Sequence, residues 1–203
     1  MNDALAVLGA GRVERPARGR GPGVLVLAGA GTSRGALVEG CRRLADHGFV
    51  AWAPAAEGAG DAPADGEAVE RLFRLDAVEG SRVGVVGLGG GGALALAAAS
   101  QRVAVALCLE PGDGVEGFEP GGSPDAQRLE ARVLLVCAEK DPAAEEGLPG
   151  LREALHAAGA RVELRVVPGV EAGFLDPLRA DRYDARAARL AWDAALAVLR
   201  AEL

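Results

Sequence analysis

Apolar residues cluster in six short runs, at 24–28, 49–53, 82–88, 103–109, 133–138 and 162–167. Runs of this length, rich in Val, Leu and Ala and bounded by Gly or Pro, predict strands covered on both faces. Between them the pattern changes to a helical period. Residues 36–47 place Leu37, Cys41 and Leu44 on one face, with Gly48 just past the end. Further helices are predicted at 67–78, 91–99, 148–158 and 181–203. Residues 4–15 alternate weakly, and 16–23, with two prolines and three glycines, read as a turn between two strands. Segments 55–66 and 111–129 are Gly- and Pro-rich and read as loops. Strands alternating with helices predict the α/β class, a mostly parallel central sheet flanked by helices on both faces. No linker or second core interrupts the pattern, so one domain over 1–203 is expected.

Composition narrows the possible functions. The chain has 203 residues, 50% of them hydrophobic and 25% charged, which is an ordinary globular balance. Its net charge is −7, and no Lys/Arg cluster offers the basic footprint that nucleic-acid binding needs. No apolar run reaches the roughly 18 residues of a membrane span. Lys140 is the single lysine among 22 basic residues, a skew that suggests a GC-rich bacterial genome. The N-terminus has neither the basic nor the apolar part of a signal peptide, so a cytoplasmic location is expected. Cys41, Cys108 and Cys137 are odd in number, and two of them fall inside predicted strands. Disulfides and a metal site are therefore not expected. No cofactor is implied.

Parallel sheets bind ligands beyond the carboxyl ends of their strands. Candidate chemistry thus belongs in the loops after residues 28, 54, 88, 110, 138 and 168. The third core strand ends in Val83-Gly84-Val85-Val86-Gly87-Leu88-Gly89-Gly90-Gly91-Gly92. This strand–turn–helix resembles the nucleophile elbow of α/β-hydrolases, and in particular that of the dienelactone hydrolase family, which shows Gly-x-Cys-x-Gly-Gly there. Gly48-Phe49-Val50-Ala51-Trp52-Ala53-Pro54, Glu139-Lys140-Asp141-Pro142, Pro168-Gly169 with Gly173-Phe174, and Arg182-Tyr183-Asp184 with Trp192 follow the family's order. The resemblance spans essentially the whole chain.

It also implies a broken catalytic triad. The family's nucleophile position falls on Gly89 and its histidine position on Ala172, while the acid position retains Asp141. The acid expected after the first core strand is lost at about Gly29, and the cover after Pro54 is short. Glycine and alanine supply neither a nucleophilic lone pair nor a base. His47 and His156 belong to helices. Ser33 is the serine near a strand end and has no histidine beside it. Cys108 and Cys137 read as buried thiols with raised pKa.

What the resemblance leaves is a backbone oxyanion hole, from the N–H of Gly90 and of about Ala30. Asp141 and Glu171 are the candidate proton carriers. Gly29, Ala30, Ser33, Trp52, Gly89, Gly90, Glu110, Ala172 and Phe174 are candidate ligand contacts. Each has a plainer role open to it. Asp141 could cap its own loop, Glu171 could be solvated, and Glu110 could end its strand. Thr32, Ser33 and Arg34 could contact a ligand and equally could cap a helix, while Trp52 and Phe174 could be core. Asp176 is a further nearby acid.

Four functions stay open. The leading one is a non-hydrolytic enzyme of isomerase, cyclase, dehydratase or lyase type, acting on a small carbonyl or lactone-like ligand, in the setting of bacterial specialised metabolism. A catalytically inactive binding or scaffold protein is the second. The third is a dinucleotide-binding protein, on Gly87-x-Gly89-x-x-Gly92 with Glu110 as the ribose acid. The fourth is a hydrolase whose water is activated by a carboxylate. Substrate and oligomeric state stay open.

Overall fold

In β2 (Gly21–Ala28), Val24 and Val26 face one side of the sheet and Leu25 and Leu27 the other, and all four are buried. The same alternation runs through β4 (Val78–Leu88), β5 (Val103–Leu109) and β6 (Arg132–Ala138). Strand side chains alternate in direction, so an unbroken apolar run requires a core on each face. The structure, a computed structural model, describes residues 11–29, 32–54, 66–89, 102–112 and 129–203.

The seven-stranded sheet has the order β1-β3-β2-β4-β5-β6-β7, with β1 at Arg12–Glu14, β3 at Val50–Ala53 and β7 at Arg161–Val167. β1 pairs antiparallel with β3, and every other neighbour is parallel. α1 (Arg34–Asp46) and α4 (Ala185–Glu202) cover one face, through Cys41, Leu44, Trp192, Leu196 and Leu199. α2 (Gly66–Phe73) and α3 (Pro142–Ala157) cover the other, through Val69, Leu72, Leu151 and Leu155. At Gly84 a β-carbon would lie 2.6 Å from Leu199, so α4 seats directly on β4 only because that position has no side chain. The α/β architecture expected from the sequence is the one observed.

Several boundaries differ from the expected ones. α2 ends at Phe73, not 78, because tight turns at Leu75 and Val78 stop it. β4 then starts four residues before 82, where Val78 and Glu79 pair with Gly21 and Pro22 of an early-starting β2. α3 begins at Pro142, six residues before 148. Proline suits a first helical turn, and Glu145 N–H bonds to the Asp141 carbonyl there. Pro149 lies within α3 and disguises the continuity. α4 begins at Ala185, not 181, because the Asp184 carboxylate accepts from the N–H groups of Arg186 and Ala187, each at 2.9 Å. The helix at 91–99, most of the loops at 55–66 and 111–129, and the first ten residues lie outside the described residues. Among the described residues no helix is long and apolar enough to cross a membrane.

Candidate active site

β2, β4, β5 and β6 end at one rim of the sheet, and the loops leaving them meet there. The centre of the rim is the carbonyl of Leu88, the last residue of β4. It accepts from Gly29 N–H at 3.0 Å and from the Thr32 hydroxyl at 2.9 Å. Thr32 N–H closes the turn on the Gly29 carbonyl at 3.1 Å. The loop after β2 is thereby tied to the turn after β4.

Gly89 follows with φ +59°, in the left-handed region. A β-carbon built on it would stand 2.5 Å from Thr32 Oγ1, closer than packed atoms approach. The space ahead of Gly89 is thus filled by the hydroxyl of a neighbouring loop. Gly29 and Gly89 are both half-buried at this point, whereas Ala30 and Gly90 lie outside the described residues.

A second cluster forms where β5 and β6 end. Glu110 adopts φ +56°, unusual for a residue with a side chain. Its carboxylate accepts three backbone bonds, from Gly173 N–H at 2.5 Å and from Phe174 and Leu175 N–H at 3.1 Å each. Burial pushes the Glu110 carboxyl above the usual range. The three N–H donors pull it down and the Asp141 charge pushes it up again, with burial the largest influence. Both Glu110 oxygens hold the loop at 173–175, a role the sequence reading did not assign. Glu139 acts likewise, accepting from Gly169 N–H at 2.7 Å, while Lys140 N–H bonds to the Val170 carbonyl at 3.0 Å.

Asp141 is buried directly after β6 and within electrostatic reach of both Glu110 and Cys137. Burial, with those two carboxylates adding to it, pushes the Cys137 thiol up to about 12. Burial also raises Cys108 well above its ordinary value and Cys41 to about 12, so all three thiols are inert in the folded protein. Among the described residues no group of three or more His, Cys, Asp or Glu is placed to hold a metal ion.

The remaining described candidates have the following places in the fold. Ser33 is the N-cap of α1: its oxygen accepts from Ala36 N–H at 3.1 Å and its hydroxyl donates to buried Asp176 at 2.7 Å. Asp176 also accepts from Ser33 N–H and Leu178 N–H, so it locks the loop after β7 to the start of α1. Glu171 does not join Asp141. It is exposed and pairs with Arg182 at 3.0 Å, which removes the reason to give it a proton-transfer role. Arg182 also donates to the carbonyl of half-buried Ala172 at 3.4 Å. Trp52 and Phe174 are fully buried in the cores on opposite faces of the sheet. His47 caps the end of α1, its Nδ1 on the Arg43 carbonyl at 2.8 Å.

The residues that hold the site together are thus Thr32, Glu110, Glu139 and Asp176. Sequence reasoning weighed Thr32 as a ligand contact or a helix cap and passed over Glu139, because each acts on a segment distant along the chain.

Solved structures with the same fold include a dienelactone hydrolase-like promiscuous phosphotriesterase from metagenomic libraries, 23% identical, with a TM-score of 0.78 over 95% of this chain and 92% of that one. A thermophilic esterase from the planctomycete Thermogutta terrifontis is 19% identical, with a TM-score of 0.66 over 91% of this chain and 84% of that one. The same esterase has been solved phosphorylated by paraoxon, at 19% identity and a TM-score of 0.68 over 91% of this chain and 85% of that one. At such identities the likeness establishes the fold alone. No curated protein sequence matches this chain. The model of the dienelactone hydrolase family matches residues 61–203, more than two thirds of the sequence, and the chain therefore belongs to the dienelactone hydrolase family.

Proposed function

We propose that this protein is a non-hydrolytic member of its family, which binds a small carbonyl or lactone-like compound at the rim and moves a proton without a covalent intermediate. The observation that carries the reading is the Thr32 hydroxyl 2.5 Å from the β-carbon position of Gly89. In the family resemblance that position belongs to the nucleophile, and here it is glycine with a neighbour filling the space. The histidine position falls on Ala172, so the triad is broken at two of its three members. Gly89 itself has no side-chain atom on which a covalent acyl intermediate could form.

In this reading the ligand carbonyl lies at the turn after β4, where the family resemblance implies backbone N–H donors. Such donors stabilise an oxygen on which negative charge develops. Asp141 carries the proton. Its carboxylate takes a proton from the carbon between the ligand carbonyl and a C=C bond, the electron pair delocalises onto the carbonyl oxygen, and the resulting dienolate is reprotonated at its far carbon by the same carboxyl. Atoms and electrons balance within an isomerisation, and no cofactor is required. Asp141 is buried at the end of β6, within electrostatic reach of Glu110.

A second reading, a catalytically inactive binding protein, is favoured by the use of Glu110 and Glu139 as loop anchors. One experiment separates the two. The protein is incubated in deuterated water with small lactones, enones and keto acids, and deuterium uptake is followed by mass spectrometry, with Asp141→Asn alongside. The same preparation is treated with paraoxon. The enzyme reading expects deuterium uptake in at least one ligand, loss of it in Asp141→Asn, and no phosphoryl adduct. A paraoxon adduct, or ester hydrolysis that survives Asp141→Asn, overturns it. Saturable ligand binding with no exchange selects the binding protein.

A further inference from the structure

Among the described residues β7 is the last strand of the sheet and pairs on one side only, with β6. No described residue pairs with its other edge, and Val166 is 53% exposed. Open edges carry unpaired backbone N–H and C=O groups and accept another strand unless something blunts them. Charges of one sign are an effective guard, because they repel a second copy in every register. β7 carries a different pattern, Arg161-Val162-Glu163-Leu164-Arg165-Val166-Val167, in which the charges alternate in sign on one face. Pro168, which has no N–H to continue a ladder, ends the strand.

Alternating charges make the strand self-complementary in one antiparallel register. With the two-fold axis at Glu163, Glu163 meets its own copy and Arg161 meets Arg165. With the axis at Arg165, that arginine meets itself. With the axis at Leu164, Glu163 meets Arg165 of the second copy twice over, Val162 meets Val166 twice over, and Leu164 meets Leu164. Leu164 is also the midpoint of Arg161–Val167, so every residue of the strand gains a partner in this register and in neither of the others. Opposite-charge and β-branched pairs directly across an antiparallel ladder are favourable, and like charges there are not. Arg165 is 60% exposed at its side chain and lies 2.8 Å from Glu163 Oε1 of its own strand, while Glu163 Oε2 accepts from Arg132 of β6 at 2.8 Å.

We propose that β7 is a homodimer interface, pairing antiparallel with β7 of a second copy about an axis through Leu164 and joining the two sheets into one. The contact is isologous and closes on itself, as two-fold dimers require. It covers exposed Val166 with Val162 of the other copy and satisfies the free edge of the strand. It does not depend on the reading of the rim, which lies at the ends of β2, β4, β5 and β6.

The test is sedimentation velocity across a wide concentration series. The intact chain is expected to show a monomer–dimer equilibrium. Arg165→Glu sets glutamate against glutamate in both pairs and is expected to weaken dimerisation by about tenfold or more. Glu163→Arg combined with Arg165→Glu recreates both ion pairs with the signs exchanged and is expected to restore most of the loss. Melting curves verify that each variant is folded. For the register, Leu164→Cys is expected to form a disulfide-linked dimer on mild oxidation, since residues across such a ladder sit at bridging distance. Val166→Cys alone is not, whereas Val162→Cys with Val166→Cys is. The native cysteines are buried and stay silent. A chain that sediments as a monomer at every concentration overturns the proposal. So does a dimer indifferent to Arg165→Glu, or one whose Leu164→Cys variant does not cross-link.

Discussion

The hydroxyl oxygen of Thr32 and the missing side chain of Gly89 occupy the same space, 2.5 Å apart if a β-carbon is placed on the glycine. Each residue therefore limits what the other can become. Alanine at 89 meets two penalties, a left-handed backbone for a residue with a β-carbon and a collision with Thr32. Together these predict a loss of about 2–4 kcal/mol for Gly89→Ala. In a Thr32→Gly background the collision disappears and the penalty is expected to fall by about 1 kcal/mol or more. Urea unfolding of both single variants and the double variant checks this, and strict additivity would deny the contact.

Glu110 predicts a pH dependence with a definite sign. Its folded-state pKa is raised, chiefly by burial. The stability it contributes is therefore complete below the ordinary glutamate range and is lost as pH rises through the raised value. Glu110→Gln removes the titration. The stability difference between the two proteins is expected to change across that window and to flatten on either side. The glutamine presents an amide donor to the backbone N–H groups of 173–175, so a loss of about 1–3 kcal/mol accompanies the change.

Glu163 and Glu202 predict the opposite trend. Hydrogen bonds from Arg132 and Arg165 lower Glu163. Burial works against Glu202, yet Arg161 and Arg132 together outweigh it and lower that carboxyl as well. Their contribution is present above the ordinary glutamate range and lost as pH falls through the lowered values. These pairs are partly exposed, so each is expected to contribute no more than about 1 kcal/mol and to weaken in salt. Acid titrations of Glu202→Gln at low and high ionic strength measure both effects.

Ser33 and Asp176 join the start of α1 to the loop after β7. Ser33→Ala removes the cap and one bond to a buried carboxylate, at a predicted loss of about 1–2 kcal/mol. Asp176→Ala strands Leu178 N–H and the Ser33 hydroxyl together and is expected to cost more. A double-mutant cycle on the two is expected to show coupling, because they share one bond.

The strands were legible in the sequence because both faces of the sheet are buried. A run such as Val103–Leu109 has no polar position to blur it. The elements that escaped have local chemistry that conflicts with their final state. α3 runs through Pro149, and β4 begins at Val78 inside what reads as a helical stretch. The rim was legible in its positions and illegible in its roles. Asp141 and Gly89 follow from strand ends and from the family motif. Glu110 reads as a strand terminator until the loop 63 residues later folds back onto its carboxylate. Thr32 meets Leu88 across 56 residues, which no periodicity reports. Glu171, singled out for its place in the former histidine loop, pairs instead with Arg182, one surface turn away.

The three buried cysteines give the molecule internal reporters of its own breathing. Cys41 sits in α1, under the outer layer, whereas Cys108 and Cys137 sit in neighbouring central strands. A thiol reagent reaches any of them only when its surroundings open, and each element opens with its own free energy. Alkylation of Cys41 therefore times the detachment of a single helix. Alkylation of Cys108 times the parting of the sheet itself. The ratio of the two rates ranks the local stability of the layer that carries Ser33 against that of the strands beneath it, without any added label.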